Sequence, residues 1–407
     1  MASRTIDKVL VVNSGSSSLK YMLFSMKDET MLCKGLVERI GAPNANLVYQ
    51  KAGEDKIAHG IKADNHGQAF EEVCAALTNP DNGVLKSLKD IDAIGHRVLH
   101  GGMEFTEPVK VNAAVKKAIR KCFDLGPLHN PANLTGIEAC EKKMKGVPNV
   151  AVFDTGFHMS MPEESYLYAI PLDLYKKYGI RKYGFHGTSH KYITETAAKV
   201  FKKPQSKLNI ITCHLGNGSS LAAIKNGKVF DTTMGLTPLQ GLVMGTRSGD
   251  IDPAVCFFLA KKEGLTAEQL DTLLNKKSGL LAVGGTGSGD MRDLCSAVKA
   301  GDKQAQIAFD MFAHRIVLYI GGYYALLGKV DGIVFAGGIG ENSDEARKAI
   351  CDRLGAFGVK LDSKLNAATH GKLQKISSAA SKVPVWVIPT NEELMIARET
   401  FRIVAGK

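Results

Sequence analysis

No stretch of the 407-residue chain reaches the ~18 consecutive apolar residues that cross a bilayer. The opening "MASRTIDKVL" passes from polar residues straight into a strand, without the apolar core of a secretory signal. Both absences lead us to expect a cytoplasmic protein with no membrane partner. The eight cysteines include no C-x-x-C pair, and Cys213 sits in the apolar run "NIITCHLG". Reduced, buried thiols fit that pattern better than a disulfide framework or a zinc site. "HRVLH" spaces His96 and His100 four apart in a strand-like run without H-E-x-x-H, which also argues against zinc. The formal charge of +11 has no basic arm behind it, because the lysines are dispersed ("VKKAIRK", "EKKMK", "LYKKYG", "VFKKPQSK") and form no motif interleaved with aromatics. We therefore expect no nucleic-acid partner. A basic protein that handles small anions accounts for the charge.

What is present is globular and alternating. The 44 % hydrophobic and 23 % charged content is that of a folded soluble chain, and its length calls for two domains. "KVLVVNS" and "LKYMLF" read as two strands around a short turn, and "HGQAFEEVCAALT" as a helix with Phe70, Val73, Ala76 and Leu77 on one face. "IDAIGHRVLHGG" returns to strand, "VKKAIRKCFDL" is helical, and "PNVAVFDTGFH" is a buried strand ending in polar residues. A helix in "KYITETAAKVF" precedes two strands in "LNIITCHLGNGSSLAAIKNGKVF", with a hairpin at Asn226-Gly227. A long helix follows in "AQIAFDMFAHRIVLYIGGYYALLG"; then "DGIVFAGGIGENS" is strand and glycine-rich turn, and "DEARKAICDRLGAFG" a helix closed by glycine. Alternation of this kind predicts an α/β fold. "VLVVNSGSSSLKYMLF" and "IITCHLGNGSSLAAI" also echo each other: 201 residues separate Asn13 from His214, Gly15 from Gly216 and Ser18 from Ser219. The echo implies two halves built alike, each presenting a strand-turn-strand loop to a shared cleft.

Several constellations carry chemistry. "NSGSSSLK" is not a P-loop, since G-x-x-x-x-G-K-[ST] is missing. Gly15 nevertheless lets the backbone approach a phosphate, and Ser16, Ser18 and Lys20 alternate onto one side of an extended segment. The plain alternative is a serine-rich hairpin with an exposed lysine. "HLGNGSS" repeats the offer, and "FAGGIGENS" puts glycines at a strand-to-helix turn, where backbone N–H groups meet nucleotides. "GGTGSGD" offers G-x-G-x-G, but its flank "SGLLAV" is short and no acidic residue ends a following strand, which counts against a dehydrogenase. Arg97 in "GHRVLHGG" and Arg247 in "MGTRSGDIDP" could each grip a carboxylate or phosphoryl group, or form a surface ion pair. Asp154 lies at the polar end of an apolar strand, either a working residue or a turn former. His186 and His190 in "KYGFHGTSHKY" read more readily as satisfied core or turn histidines than as catalysts. Glu392 and Glu393, after Asn391 in "PTNEELMIARET", suit a helix dipole or a metal.

Together these segments resemble the acetokinase (acetate kinase) family of the acetate and sugar kinase, Hsp70 and actin superfamily. "NSGSSSLKY", "HRVLHGG", "PLHNPANL", "VFDTGFH", "YGFHGTSHKY", "HLGNGSS", "MGTRSGDIDP", "GGIGENS" and "PTNEE" stand in family order from Val9 to Thr400. The resemblance implies an α/β protein of two duplicated actin-like (ribonuclease H-like) domains with a cleft between them. Residues 1–155, completed by a C-terminal helix at 390–407, would form the first domain and residues 156–389 the nucleotide-binding second. It implies a homodimer using ATP/ADP and Mg2+, with Mn2+ as a substitute, in the reaction ATP + acetate ⇌ ADP + acetyl phosphate. On that basis Asp154, His186, Arg247 and Arg97 surround the reacting groups, and Arg97, Leu99, Leu128 and Pro238 bind the acid. Ser16, Ser18 and Lys20 form a first phosphate loop. His214, Leu215, Gly216, Asn217 and Gly218 hold the nucleotide, with Asp290, Met291 and Arg292 and with Gly337, Gly338, Ile339, Gly340, Glu341 and Asn342. Asn13 and Glu392 stand near the metal.

Two departures from the family pattern bear on the site. "SGLLAVGGTGSGDMRD" is one residue longer than the usual loop and has Ala282 where glycine is common. Leu99 replaces the valine of typical relatives and leaves less room for a longer acid, which favours acetate over propionate, though one methylene discriminates by only ~1–3 kcal/mol. Other readings are a pyrophosphate-dependent kinase, against which the intact "HLGNG" and "GGIGENS" speak, and an actin-like ATPase switch.

Overall fold

The computed structural model describes residues 6–127 and 129–406. The chain forms two compact units, Met1–Gly156 with Asn391–Lys407, and Phe157–Thr390.

The first unit is built on an eight-stranded sheet. Its strands are β1 (Lys8–Ser14), β2 (Ser18–Ser25), β3 (Thr30–Glu38), β4 (Asn46–Lys51), β5 (Ile57–Gly60), β6 (Ala93–Val98), β7 (Val109–Lys110) and β8 (Asn149–Phe153), in spatial order β5-β4-β3-β2-β1-β6-β8-β7. Successive side chains of a strand point to opposite faces. Leu10 and Val12 of β1, Leu19, Tyr21 and Leu23 of β2 and Ile94 of β6 therefore share one face, where they bury Phe70, Val73 and Leu77 of the helix His66–Leu77. Asn13, its cross-strand partner Lys20, and Gly95 and Arg97 of β6 point the other way. That second face is covered by the C-terminal helix Glu392–Ala405, which buries Leu394, Met395 and Ile396 at about 1.5–3 kcal/mol each. Gly95 permits the approach, since a Cβ there would lie 2.3 Å from Thr400 Oγ1.

The second unit repeats the plan on six strands: β9 (Ile210–Leu215), β10 (Ser219–Lys225), β11 (Lys228–Thr232), β12 (Gly332–Ala336), β13 (Gln374–Lys375) and β14 (Val385–Val387), ordered β11-β10-β9-β12-β14-β13. In both sheets a three-strand antiparallel meander (β3-β2-β1, β11-β10-β9) continues into two strands parallel to its inner member (β6 and β8, β12 and β14). Each ends on a short antiparallel edge strand. This is the duplicated actin-like fold. Ile211, Cys213 and Leu215 of β9 face the long helix Lys303–Leu327 in one core. Thr212 and His214 face the helix Gly187–Val200 instead. The hairpin at Asn226-Gly227 has both residues at positive φ (52° and 73°), as a two-residue turn requires.

Two expectations need adjustment. The turn between β1 and β2 is one residue longer than that between β9 and β10, because Ser14 pairs with Leu19 whereas Leu215 pairs with Ser219. The 201-residue offset thus holds for the first strand of each hairpin, and Leu19, not Ser18, is the register equivalent of Ser219. The glycine-rich turn of "GGIGENS" is itself a helix, Gly337–Asn342, entered through Gly337 at φ 74°. All eight cysteines are free, seven of them buried.

Candidate active site

In the first unit the sheet face under the C-terminal helix carries a charged cluster at the strand ends. Asp154 follows β8, fully buried, and its backbone N–H donates to Val98 O at 2.9 Å. Both of its carboxylate oxygens accept from Arg97, from Nη2 at 2.6 Å and from Nε at 3.3 Å. Burial alone would lower the arginine pKa, but Asp154, Glu392 and Glu393 together hold it above its ordinary value. Asn391 caps the C-terminal helix, accepting from Leu394 N at 3.0 Å, so Glu392 and Glu393 occupy the first turn. Glu393 takes the Lys20 ammonium as its partner. Burial, Asp154 and Glu393 push the Glu392 carboxyl up to about 7 against the opposing pull of Arg97 and Lys20. Two cations, Arg97 and Lys20, thus stand among three carboxylates, with Asp154 and Glu393 each already paired.

Two asparagines of "PLHNPANL" fasten the strand ends that present these groups. Asn133 accepts from Leu99 N at 3.0 Å and donates to Ser14 O at 2.7 Å, tying β6 to β1. Asn130 accepts from His100 N at 3.1 Å and returns a bond to His100 O at 3.0 Å. The reading of single residues missed both; asparagines in a motif otherwise committed to starting a helix were the available signal. His66 Nε2 donates to Gly15 O at 2.7 Å and steadies the first turn. In that turn Ser16 is exposed, while Ser18 and Lys20 share a face of β2. Leu99 is buried beside Gly126, whose missing Cβ would lie 3.1 Å from Leu99 Cδ2. Leu128 lies outside the described residues.

In the second unit the strand parity of β9 and β10 sends Thr212, His214 and Ser220 toward the start of the helix Gly187–Val200. His186 precedes that helix in the left-handed region (φ 57°), a strained conformation for a side-chain-bearing residue. Its Nδ1 lies 2.9 Å from Ser220 Oγ, and its ring stacks 4.3 Å from that of His214. His214 Nδ1 is 2.7 Å from Ser189 Oγ, which reaches Thr390 Oγ1 at 2.7 Å. Gly218 is open enough to bring two further groups in: a Cβ there would sit 3.2 Å from Arg247 Nη1 and 3.5 Å from His186 Nε2. Arg247 donates to Pro238 O at 3.3 Å, which gives Pro238 a backbone role, and makes no ion pair among the described residues. Burial holds its pKa below the ordinary value.

Next to this cluster lies a cavity of about 770 Å³, within the range of small-ligand sites. Gly216 and Asn217 line it, as do Asp290, Met291 and Arg292, and Gly338, Ile339 and Asn342. Close glycine packing shapes its wall: a Cβ on Gly245 would lie 1.9 Å from Asn217 Oδ1, and one on Gly289 2.5 Å from Gly245 O. Asp290 caps the helix Met291–Lys299 and is held at about 2 by Arg292, whose guanidinium forks onto it at 3.0 and 2.7 Å. Thr246, Ser296, Lys299 and Glu345 also line the cavity and were not singled out from the sequence. Other residues expected at the nucleotide are placed as follows. The Leu215 side chain faces the core, Gly337 and Gly340 are buried, and Glu341 Oε1 accepts from Gly337 N at 2.8 Å and Thr390 N at 3.0 Å.

In the first unit an arginine pinned by a carboxylate, and in the second a glycine-walled cavity near an arginine with no ion pair among the described residues, suit a phosphotransferase. The chain belongs to the acetokinase family, whose sequence model matches residues 8–398. It is 54 % identical over 400 residues to the acetate kinase of Dictyoglomus turgidum, covering 98 % of each chain. Among solved structures it resembles Porphyromonas gingivalis acetate kinase (TM-score 0.94, 45 % identity, 98 % of this chain and 100 % of that one). It also resembles a propionate kinase from Francisella tularensis (TM-score 0.91, 42 % identity, 97 % and 99 %).

Proposed function

We propose that the protein transfers the γ-phosphoryl group of ATP to acetate, reversibly, giving acetyl phosphate and ADP. The observation that carries this reading is Arg247, a desolvated guanidinium with no ion pair among the described residues, set against Gly218 beside His186. Such a cation is made for an incoming anion. A carboxylate substrate is ionised at neutral pH, so no general base is required. An acetate oxygen attacks the γ-phosphorus, the bond to the ADP oxygen breaks, and that oxygen leaves with the electron pair. What the protein must supply is suppression of anion repulsion and stabilisation of the charge on the transferring group.

The residues divide that work. Arg97 receives the acid carboxylate, and Asp154 orients it, since both Asp154 oxygens are engaged by the guanidinium. Leu99 limits the acid's length. Arg247 and the His186 ring face the phosphoryl group. The cavity lined by Asn217, Asp290 and Gly338 accepts the nucleotide; Lys20 and the Ser16–Ser18 turn act as a phosphate loop. A magnesium or manganese ion, with Glu392 and Asn13 as the residues that would hold it, would neutralise phosphate charge; Glu392 is the carboxylate of this cluster with no ion pair among the described residues. The protein acts as a homodimer, a reading supported by exposed Phe257 and Phe258 on the helix Ala254–Glu263 and Leu318 and Leu326 on Lys303–Leu327.

The test is hydroxylamine trapping of the acyl phosphate with acetate, propionate and butyrate, using ATP and pyrophosphate as donors. ATP-dependent hydroxamate from acetate, decreasing with chain length, is the expected result. Silence with every acid and donor would refute the proposal and favour a nucleotide switch.

A further inference from the structure

Arg97 is aimed by the carboxylate that grips it. Arg247 has no ion pair among the described residues; its Nη1 donates to Pro238 O at 3.3 Å and lies 3.8 Å from Met244 Sδ, both upstream in the same segment. The aim of such a side chain is set by its backbone, and that backbone is the loop 241–250, whose two ends are locked together. Asp250 N donates to Gly241 O at 3.0 Å, and Gly241 N returns a bond to Asp250 Oδ1 at 2.9 Å. Arg315, on the helix Lys303–Leu327, donates from Nη1 to Gly241 O at 3.0 Å and to Asp250 O at 3.2 Å, with Asp250 Oδ2 3.6 Å away. One turn further along the same helix face, Tyr319 donates its hydroxyl to Asp250 Oδ2. Gly249 lets the two legs of the loop close, since a Cβ there would lie 2.2 Å from Leu242 O.

We propose that Asp250, Arg315 and Tyr319 form a clamp that closes the base of the loop 241–250 and so aims the Arg247 guanidinium. They are positioning residues for the phosphoryl transfer, and the inference rests on the reading of Arg247 as the phosphoryl-facing arginine. The three side chains suit a fixed mount. An ionised carboxylate has acceptor sites enough for a backbone N–H, a phenol and a nearby guanidinium at once. Burial and the Asp250 carboxylate raise the Tyr319 pKa well above the ordinary phenol value, so the hydroxyl stays a donor. The clamp joins the loop to a helix whose Phe312, Ala313, Ile316 and Ile320 lie in the core. The ties beside Arg247 lead elsewhere: Ser248 N donates to Leu274 O and Thr246 Oγ1 to Asn275 O, each at 3.0 Å, on the helix Ala267–Lys276, which buries none of its residues. Leu280 N and Leu281 N also hold Met244 O and Gly245 O, each at 2.9 Å. Loss of the clamp should therefore tilt the loop without unfolding it.

The experiment compares variants of the full-length protein by acetate-dependent initial rates and by amide hydrogen exchange of the segment 241–250. Asp250→Ala should lower kcat about 10²-fold, the scale of a displacement of about 1 Å at a reacting centre, with KM for ATP and for acetate within about threefold. The amides of 241–250 should exchange at least about tenfold faster. Asp250→Asn, whose amide oxygen can still accept from Gly241 N, should recover at least about tenfold of the lost kcat. Arg315→Met, of similar length without donors, should lower kcat about tenfold with the same faster exchange, and it carries the test if Asp250→Ala does not fold. In an Arg247→Ala background, Asp250→Ala or Arg315→Met should change kcat by no more than about twofold, because the group they aim is gone. Unchanged exchange in 241–250, faster exchange with kcat unaltered, or the full loss of kcat persisting without Arg247 would each overturn the proposal. Full acetate-dependent turnover by Arg247→Ala alone would instead defeat the phosphoryl-facing reading, and the exchange measurement would still report on the clamp.

Discussion

Glu392 offers a prediction with a magnitude. Burial, Asp154 and Glu393 raise its carboxyl to about 7, whereas in an unfolded chain it titrates near ~4.3. Folding therefore takes up a proton between those values. The stabilisation is complete at low pH and is lost as pH rises through about 7, at up to ~1.4 kcal/mol per pH unit and about 4 kcal/mol in all. At neutral pH the group is half protonated. Binding a divalent cation with ADP at Glu392 must expel that fraction, so about half a proton should be released per chain at pH ~7, approaching one near pH ~6 and vanishing by pH ~9. Isothermal titration of magnesium·ADP in buffers of different ionisation enthalpy measures the release directly. Glu392→Gln should abolish it and flatten the stability slope between pH ~5 and ~7. A binding heat independent of buffer, or a proton release unchanged in Glu392→Gln, would refute the reasoning.

Other outcomes follow from single contacts. Arg247→Ala should reduce kcat by ~10³ or more, as expected for loss of a phosphoryl-facing arginine, while leaving the melting temperature unchanged or higher, because a desolvated and unbridged charge is removed; differential scanning calorimetry alongside initial rates checks both. Gly245→Ala must displace Asn217 Oδ1, which would lie 1.9 Å from the new Cβ. KM for ATP should rise at least about tenfold with KM for acetate little changed. Leu99→Ala should raise propionate turnover relative to acetate by a factor corresponding to ~1–3 kcal/mol, read as the ratio of kcat/KM values. Lys20→Ala removes the partner of Glu393 and should weaken use of ATP with the circular dichroism spectrum unaltered.

Much of this was legible before the coordinates. The echo between "VLVVNSG" and "IITCHLG" marked the duplication because both hairpins need a polar residue and a glycine where the strand ends. Asn13 and His214 do occupy equivalent places, each on the face covered by a helix that starts at the same end of its sheet. Helices with a regular apolar stripe, such as His66–Leu77, were equally plain. Strands β3, β4 and β5 passed unnoticed because β3 and β4 bury only two residues each, β5 is exposed throughout, and "TMLCKGLVE" lacks strict alternation. Each becomes a strand by pairing with the strand before it in the chain, β3 with β2, β4 with β3 and β5 with β4. The site shows the same division. Glycine loops and arginines announce themselves by type, but Asn133 acquires its task only because β1 and β6 end side by side. Ser220 looked like one more small turn residue, yet it sits between two imidazoles. Leu215 and Glu341 belonged to the right segments but spend their side chains on the core and on backbone amides.

The central claim is that an acetate oxygen attacks the phosphorus of ATP directly. It is tested most directly by 31P NMR of the reaction run with 18O-labelled acetate, accompanied by a search for labelled protein after incubation with [γ-32P]ATP alone. The account predicts acetyl phosphate whose phosphorus resonance carries the isotope shift of a single 18O, and no phosphorylated protein. A stoichiometric phosphoprotein able to pass its label to acetate, or acetyl phosphate without the isotope shift, would contradict it.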